Sequence, residues 1–431
     1  MTTEEYIIQH LTDDVRDLAL RTPPSGVDLH HALIQISGWQ KSRAKLPLWA
    51  STPGIHYPQH LSMEQCSSQL TAEYKLSIIQ RLCPSGGKMA DLTAGFGVDA
   101  TILGSHFSHL TLVEQNPELC QLLRHNLPLL GIHDFTVHCA DSTTVSTTVP
   151  FGFAEGSPAT VPSDSSEGIH TDGTPAESFP HFDFIFLDPA RRDINGRKTV
   201  LISDCTPDVC TMQESLLRMS DTIMIKLSPM LDLTTVRRSL SHLTELHIVS
   251  VNNECKEVLA IMQKTTASAP AIYCINITPQ GTSTFTLPPT PAPESPATVP
   301  SDSSEGTPAE VTTAPLYLYE PNASIMKAGI HDALIQAFPI KKIHPNSHLY
   351  LSHTPIPHFP GRQFRVLQTI QPNKAGIRQL RQLRQANITV RNYPLTADQL
   401  RQRLQLRDGG STYLFATTVT PDKHQIYVCE K

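Results

Sequence analysis

Residues 88–99 read KMADLTAGFGVD, and they are the strongest indication of architecture in the 431-residue chain. The apolar run KMADL closes on Asp91, and Gly95 and Gly97 follow it shortly afterwards. Glycines at the turn between a strand and a helix let backbone N–H groups approach a ligand, because no side chain stands in the way. The stretch therefore predicts a β-strand, a glycine-containing turn and an α-helix.

Short apolar segments alternate with helical patterns around this stretch. Strands are predicted at 88–92, 110–114, 135–139, 182–188, 222–227, 246–251 and 257–262, with helices at 98–106, 117–130, 208–219 and 232–242. Near-continuous apolar strands separated by helices are typical of a parallel sheet that is covered on both faces. We therefore expect an α/β fold with a doubly wound, seven-stranded Rossmann-like sheet, in which the last two strands form an antiparallel hairpin at the edge.

The regions that flank the predicted sheet have other patterns. Helices are predicted at 3–21, 27–38 and 62–82 on the N-terminal side. On the C-terminal side, strands are predicted at 271–277 and 283–287, a helix at 322–338, and a small α+β module follows from about residue 346. The chain is thus expected to have four parts: 1–83, helical; 84–268, the sheet domain; 269–345, a mixed segment; and 346–431, the C-terminal module.

Two proline-rich tracts interrupt these patterns. The sequence SPATVPSDSSEG occurs at 157–168 and again, unchanged, at 295–306. Tracts of this composition bury too little apolar surface to offset the entropy lost on ordering. We predict disordered inserts at about 151–180 and 279–315. They contain nine acidic and no basic residues, so that the formal net charge of −6 becomes +3 without them.

The composition also excludes several classes of protein. Hydrophobic residues make up 39% of the chain, and no apolar run reaches the length of about 18 residues that a membrane-spanning helix needs. The acidic start MTTEEYIIQHLTDD does not resemble a secretory signal. Nine scattered cysteines without a CxxC pair favour a reduced, cytoplasmic protein with no zinc site. His344, His348, His353 and His358 are interpreted as part of a solvated loop, and no metal is expected.

Acidic residues follow successive predicted strands. Asp91, Glu114, Asp141 and Asp188 each stand at or just after a strand end. Because ligands of open α/β sheets bind at the carboxyl ends of the strands, we expect these side chains to share one crevice. The glycines together with Glu114 also fit a dinucleotide-binding fingerprint, but that alternative gives no reason for Asp188-Pro189.

The same residues resemble the motifs of the class I S-adenosylmethionine-dependent methyltransferases. Asp91, Thr93, Gly95 and Gly97 look like the first motif, which cradles the methionine end of the cofactor. The resemblance implies that Glu114 binds the ribose and that Asp141 lies near the adenine. Asp188-Pro189 is similar to the fourth motif, D/N-P-P-x, which lies beside the transferred methyl group. S-adenosyl-L-methionine is therefore the expected cofactor.

The fourth motif also indicates the substrate. Ala190 and Arg191 stand where N6-adenine enzymes have a second proline and an aromatic residue, and residues 226–229 read KLSP, without the nucleophilic cysteine of 5-methyluridine enzymes. The expected target is a base nitrogen in tRNA or rRNA. Asp188, Pro189 and Arg191 are then the candidate catalytic residues, with Arg192 and Lys226 on the substrate side. A methyltransferase for proteins or small molecules and a non-catalytic RNA-binding protein are the alternatives.

Further stretches resemble one bacterial subfamily that joins a methyltransferase core to a ferredoxin-like segment and a C-terminal THUMP-like domain. They lie at 57–75, 225–232, 252–257, 319–329 and 359–366. The resemblance implies that 269–345 is the ferredoxin-like segment and 346–431 the THUMP-like domain. THUMP domains proper bind RNA, so RNA is the expected partner.

The C-terminal module has a strong excess of positive charge. Residues 361–408 contain ten Lys and Arg against two Asp. Arg378, Arg381 and Arg384 recur with the spacing of one row on a helix predicted at 373–386. With Arg362 they are candidate contacts to RNA phosphates, because arginine suits bidentate phosphate binding. The alternative is a solvated charged face.

Overall fold

The structure is a computed structural model, and it describes residues 1–145, 181–190, 201–265, 269–289, 315–420 and 423–431. It divides into two compact units. One comprises Met1–Thr244 and Leu259–Ala267, and the other comprises Glu245–Val258 and Ser268–Lys431. The first predicted insert lies outside the described residues. The second was predicted to begin at about residue 279, but residues 281–287 form a strand. In this segment, residues 290–314 lie outside the described part of the chain.

The first unit begins with helices and continues with alternating strands and helices. Its helices are α1 (Thr3–His10), α2 (Val15–Ala19), α3 (Leu29–Lys45), α4 (Pro47–Ser51), α5 (His60–Gln65), α6 (Gln69–Leu82), α7 (Val98–Gly104), α8 (Pro117–Leu129), α9 (Ser142–Val145), α10 (Val209–Met219) and α11 (Leu233–Ser239). Its strands are β1 (Lys88–Asp91), β2 (His109–Glu114), β3 (Phe135–Cys139), β4 (Phe184–Leu187) and β5 (Thr222–Leu227). β6 (Leu243–Val251) and β7 (Glu254–Gln263) contribute residues to both units.

The first sheet has the strand order β3-β2-β1-β4-β5-β7-β6-β8-β9, where β8 is Ala271–Thr278 and β9 is Gly281–Leu287. Strands β1 to β5 pair in parallel, which confirms the doubly wound α/β class. The sheet has nine strands instead of seven, since β8 pairs with β6 and β9 with β8. The predicted hairpin of β6 and β7 is therefore not at the edge. Strand β8 covers the backbone groups that β6 would otherwise expose.

Two of the three predicted N-terminal helices are divided because polar side chains cap new starts within the predicted ranges, whereas α3 extends beyond the predicted 27–38 to Lys45. Asp14 accepts hydrogen bonds from the N–H groups of Arg16 and Asp17 and begins α2. Ser68 accepts one from Thr71 N and begins α6. Such caps satisfy N–H groups that a helix start leaves unpaired. The predicted helices at 3–21 and 62–82 are each two helices.

An apolar cluster joins the N-terminal helices to the glycine-containing loop after β1. Trp49, Tyr57 and Met63 are buried together with Phe96 and Val98. The rings of Trp49 and Phe96 meet edge to face, with centroids 5.2 Å apart. Aromatic pairs of this geometry are favourable beyond the area that they bury. The N-terminal region therefore supports the loop from one side.

The second unit contains a second, seven-stranded sheet with the order β11-β12-β10-β13-β16-β15-β14. Its strands are β10 (Leu316–Pro321), β11 (Lys341–Lys342), β12 (Tyr350–Ser352), β13 (Gly361–Ile370), β14 (Asn387–Arg391), β15 (Thr412–Thr420) and β16 (Lys423–Glu430). Its helices are α12 (Ala323–Ala328), α13 (His331–Ala337), α14 (Lys374–Leu380) and α15 (Ala397–Leu404). Leu380, Leu400 and Leu404 of the last two helices pack with Leu414 and Val428 in one apolar core.

Two predicted helices of this unit are interrupted. The helix predicted at 322–338 breaks at Gly329, whose φ is +69°. The helix predicted at 373–386 ends at Leu380, a 3-10 turn follows at Arg381–Leu383, and Arg384 has a φ of +62°. No helix in the described part of the chain combines the length and the apolar character that crossing a membrane requires.

Candidate functional site

The loop after β1 is fixed to the strands on both sides. Leu92 N donates to Phe186 O of β4 at 3.1 Å, and Ala94 N donates to Val113 O of β2 at 2.9 Å. The loop thus continues the parallel pairing beyond the end of β1 before α7 begins. Its backbone position is set by three neighbouring strands.

The two glycines of this loop have different roles. Gly95 has a φ of +56°, and a Cβ atom placed there would meet nothing within 4 Å. Gly97 has a φ of +95°, and a Cβ atom there would lie 2.7 Å from the Cδ2 atom of Leu123. Gly97 is therefore needed for the packing of α7 against α8, whereas Gly95 leaves an open face beside the backbone. Both were predicted to bind the cofactor, and Gly95 is the one that borders open space.

Glu114, at the end of β2, reaches the glycine loop. Its Oε2 atom accepts a hydrogen bond from Gly95 N at 2.9 Å, and its Oε1 atom accepts one from Asn116 N at 2.8 Å. Burial raises the pKa of Glu114, while the hydrogen bonds from these N–H groups lower it by a smaller amount. The carboxylate therefore lies directly beside the open face at Gly95.

Asp91 is the most enclosed carboxylate of the site, with 1% of its surface exposed. Its Oδ1 atom accepts a hydrogen bond from Thr93 N at 3.0 Å. Burial raises the pKa of Asp91 well above its usual range, and the charges of Asp99, Asp188 and Glu114 add to this increase. The carboxyl groups are thus near enough to interact, as the sequence predicts for strand ends at one edge. Such a cluster is complementary to a cationic ligand.

Asp188 follows β4 and is held by two contacts. Its N–H group donates to the hydroxyl oxygen of Thr93 at 2.6 Å, and its Oδ2 atom forms an ion pair with the Nζ atom of Lys226. The exposed fraction is 35% for the side chain of Asp188 and 12% for that of Lys226. Asp188 can thus be reached from solvent while Lys226 lies behind it. Pro189 is buried.

The sequence did not predict a buried ion pair that lies beside the loop. The Nζ atom of Lys75, fully buried, donates to Asp99 Oδ1 and to Ser67 Oγ, both at 2.9 Å. Ser67 Oγ in turn donates to Asp99 Oδ2 at 2.7 Å. Burial alone would raise the pKa of Asp99, but Lys75 and Lys226 lower it below its usual value. The one sequence feature that indicates this ion pair is Asp99, a charged residue within the otherwise uncharged helix VDATILG.

Of the remaining predicted site residues of the sheet domain, the structure describes some and not others. Asp141 follows β3, is exposed, and accepts hydrogen bonds from Thr143 N at 2.9 Å and from Thr143 Oγ1 at 2.8 Å. Arg191 and Arg192 lie outside the described residues. Within those residues, no group of three or more His, Cys, Asp and Glu side chains could hold a metal ion.

The candidate arginines of the C-terminal module do not form one helical row. Arg378 is exposed on α14, while Arg381 and Arg384 follow the end of that helix. Arg381 Nη2 donates to the carbonyl oxygen of Arg403 at 2.9 Å, and Arg407 N donates to the carbonyl oxygen of Arg384 at the same distance. The exposed arginines thus come from two chain segments that lie side by side.

Arg362 has a different environment from these arginines. Its guanidinium group pairs with Glu320, a side chain that is only 2% exposed. Arg391 Nη2 binds the other carboxylate oxygen of Glu320 at 2.9 Å. One buried carboxylate therefore holds two half-exposed guanidinium groups, which leaves an excess of positive charge at their exposed ends.

Comparisons with known proteins agree with this architecture. Family profiles match a ferredoxin-like domain at residues 317–360 and a THUMP domain-like region at 361–431. A solved structure titled "putative methyltransferase from Porphyromonas gingivalis W83" is 29% identical, covers 99% of this chain and 96% of that one, and has a TM-score of 0.75. The chain has a methyltransferase fold followed by ferredoxin-like and THUMP-like domains. The domain boundaries drawn from the sequence stay predictions.

Other comparisons are weaker. A "putative RNA methyltransferase" from Pyrococcus horikoshii is 15% identical, and the match covers 53% of this chain and 98% of that one. Its TM-score of 0.34 is too low to support a conclusion. A search of curated proteins found no match.

In this chain, Glu320 belongs to the ferredoxin-like domain and both of its arginine partners belong to the THUMP-like domain.

Proposed function

We propose that this protein is a cytoplasmic S-adenosylmethionine-dependent methyltransferase that modifies a base nitrogen in tRNA or rRNA. The observation that carries the proposal is the cluster of Asp91, Glu114 and Asp188, in which Glu114 binds Gly95 N beside the open face. The three carboxylates come from the ends of three adjacent parallel strands. This is the place at which open α/β sheets bind their ligands.

The chemistry of the cluster fits the proposed cofactor. S-adenosylmethionine carries a positive charge on its ammonium group and another on its sulfonium group, and carboxylates favour both. The proposal assigns the ribose hydroxyls to Glu114, the methionine end to Asp91, Thr93 and Gly95, and the adenine side to Asp141. The cofactor supplies, when bound, a methyl group that is activated by the sulfonium charge.

Asp188 and Pro189 would orient the target nitrogen. Methyl transfer needs a nucleophile whose lone pair is free and aligned, so positioning is the main task of the protein. The Asp188 carboxylate and the Pro189 carbonyl are assigned to accept hydrogen bonds from the N–H groups of the base. Because Lys226 binds Oδ2 of Asp188, the substrate contact is assigned to Oδ1. Arg191 and Arg192 are proposed to hold a neighbouring phosphate.

The proposal of RNA as substrate rests on the THUMP-like domain and its charge. Arg378, Arg381, Arg384, Arg403 and Arg407 are all exposed. Exposed guanidinium groups from two adjacent segments can contact phosphates bidentately along a strand. We therefore assign affinity for RNA to this domain and the chemical step to the sheet domain.

The test is the transfer of a labelled methyl group. The full chain is incubated with methyl-labelled S-adenosylmethionine and separate pools of tRNA, rRNA, DNA, protein and small molecules. Label should enter an RNA pool and disappear with Asp188→Asn, while the exposed control Asp204→Asn should label as the wild type does. Label in protein or small molecules would assign the substrate to the alternatives. A protein that binds the cofactor but labels no pool would contradict the proposed activity.

A further inference from the structure

A pair of stacked histidines lies in the ferredoxin-like domain, away from the carboxylate cluster in sequence. The loop 344–348 is closed by a hydrogen bond from Ile343 N to Leu349 O of 2.9 Å. The imidazole of His348 stacks on that of His331, with ring centroids 3.9 Å apart and an interplanar angle of 17°. The hydroxyl group of Tyr350 lies 3.2 Å from His331 Nδ1. The two rings are thus fixed face to face.

Two cationic side chains, those of Lys342 and Arg391, lie near this pair. Lys342 on β11 is the ladder partner of Tyr350 on β12. Arg391 ends β14, and the next residue, Asn392, contacts the His344 ring at 3.0 Å, which brings the end of β14 beside the loop. Arg391 shares the carboxylate of Glu320 with a second arginine, so one negative charge faces two positive ones. With Asp332 included, three cationic side chains stand against two carboxylates near the histidines, which leaves a surplus of one positive charge.

The electrostatic effects on the two rings agree with this geometry. Burial lowers the pKa of His331 to about 4, with further contributions from His348 and Lys342, while Asp332 acts in the opposite direction. Burial also lowers the pKa of His348, together with Lys342 and Arg391. Both histidines are therefore neutral near pH 7. An anion bound among these groups would relieve the repulsion and raise both values.

One ring atom of His348 adds an unsatisfied polar group to this arrangement. His348 Nδ1 is buried and has no hydrogen-bond partner among the described residues. A buried polar atom without a partner is unfavourable, so a group that hydrogen-bonds it would be favoured there. A phosphate offers several acceptor oxygens and the negative charge that Lys342 and Arg391 favour.

We propose that His331, Lys342, His348 and Arg391 form a phosphate-binding site at the junction of the ferredoxin-like and THUMP-like domains. This site is independent of methyl transfer, so its failure would leave the proposed activity untouched. The bound phosphate belongs either to a nucleic acid strand or to a small phosphate monoester. Binding and protonation of the histidines are linked, so phosphate raises their proton affinity and lower pH strengthens phosphate binding.

The test is a pH titration of the histidine resonances of the full chain by NMR, in inorganic phosphate and in chloride at equal ionic strength. Phosphate should raise the pKa of His331 and His348 by about 1 unit, because an opposite charge lies beside each ring. His348→Asn should abolish the rise at His331. His358→Asn is the matched control: both positions have a positive φ, 52° and 60°, which asparagine tolerates. Equal pKa values in both salts, or a rise that survives His348→Asn, would overturn the proposal.

A second variant and two oligonucleotides complete the test. Lys342→Gln should weaken the binding of inorganic phosphate about tenfold, since the variant cannot form the charged hydrogen bond. An RNA octamer with a 5′-hydroxyl group should raise the histidine pKa values if the site binds phosphodiesters. A rise only with the 5′-phosphorylated octamer assigns the site to a terminal monoester, and a rise only with inorganic phosphate assigns it to a small ligand. Unchanged phosphate binding in Lys342→Gln would contradict the proposed site.

Discussion

The hydroxyl oxygen of Thr93 accepts a hydrogen bond of 2.6 Å from the backbone N–H group of Asp188, 95 positions later in the chain. One residue lies in the glycine loop that is proposed to hold the cofactor. The other begins the Asp-Pro motif that is proposed to hold the substrate. The threonine side chain therefore links the two motifs, in addition to the backbone bond from Leu92 N to Phe186 O. The ion pair of Asp188 with Lys226 fixes the carboxylate from the other side.

Thr93→Val should lower the rate of methyl transfer more than it lowers cofactor affinity. Valine keeps the shape of threonine but leaves the Asp188 N–H group without its acceptor, which costs about 1–3 kcal/mol. Asp188 would then shift relative to the loop. The expected result is a fall in kcat of at least about tenfold, since a small misplacement of a positioning group is costly in catalysis. Single-turnover kinetics and calorimetry separate the two effects.

Thr93→Ser is the control for this prediction. Serine restores the hydroxyl acceptor, so most of the rate should return. A Thr93→Val protein with the wild-type kcat would show that the bond to Asp188 does not align the two motifs.

Lys75→Met should destabilise the first unit by about 3–5 kcal/mol, because it leaves the buried Asp99 carboxylate without its cation. Both tryptophans, Trp39 and Trp49, lie in the N-terminal helices, so the tryptophan fluorescence during urea unfolding reports on this unit. The double variant Lys75→Met/Asp99→Leu should recover most of the loss. A double variant as unstable as the single one would mean that packing around Lys75, and not the charge of Asp99, causes the effect.

Gly95→Ala and Gly97→Ala should separate ligand binding from folding. At Gly95 a methyl group enters open space, so the expected loss of stability is only the strain of a positive φ, about 1–2 kcal/mol, with a large loss of cofactor affinity. At Gly97 the methyl group overlaps the buried Leu123, so the free energy of unfolding should fall further. The measurements are urea unfolding and calorimetric binding. Equal stability of the two variants would contradict the distinction.

The carboxylates of the candidate site could be predicted from the sequence, and their contacts could not. Asp91, Glu114 and Asp188 were found because the carboxyl ends of parallel strands meet at one edge of a sheet. The ion pair between Asp188 and Lys226 required the knowledge that β4 and β5 are neighbours. The pairing of strands also could not be predicted, because an apolar strand pattern does not say which strand it pairs with. For this reason β8 and β9 were not assigned to the first sheet.

Other features depend on packing that no local pattern encodes. Lys75 and Asp99 lie 24 positions apart, and a lysine is expected at the surface until α6 is seen to cover α7. The row of Arg378, Arg381 and Arg384 was wrong because α14 ends at Leu380, where the chain turns through a positive φ at Arg384. Helical spacing predicts a row only as long as the helix continues.

Replacing Arg378, Arg381 and Arg384 by Gln should reduce the salt dependence of RNA binding. Removing one arginine–phosphate interaction should lower the slope of log affinity against log salt by roughly 0.7 for a single strand. Arg16, Arg237 and Arg238, exposed in the first unit, provide a triple-Gln control. Fluorescence anisotropy with labelled RNA at several salt concentrations gives the slope. If both triple variants show the same slope of log affinity against log salt, the three arginines do not contact RNA phosphates and form only a solvated charged face.

Calorimetric titration of the full chain with S-adenosylmethionine, and separately with NADH, tests the central claim most directly. The carboxylate cluster at Gly95 predicts one-to-one binding of S-adenosylmethionine and none of NADH. Glu114→Gln should weaken that binding by at least about tenfold, because an uncharged amide replaces the charged acceptor, while the exposed control Glu118→Gln should bind as the wild type does. Binding of NADH instead, or full affinity of Glu114→Gln for S-adenosylmethionine, would contradict the account.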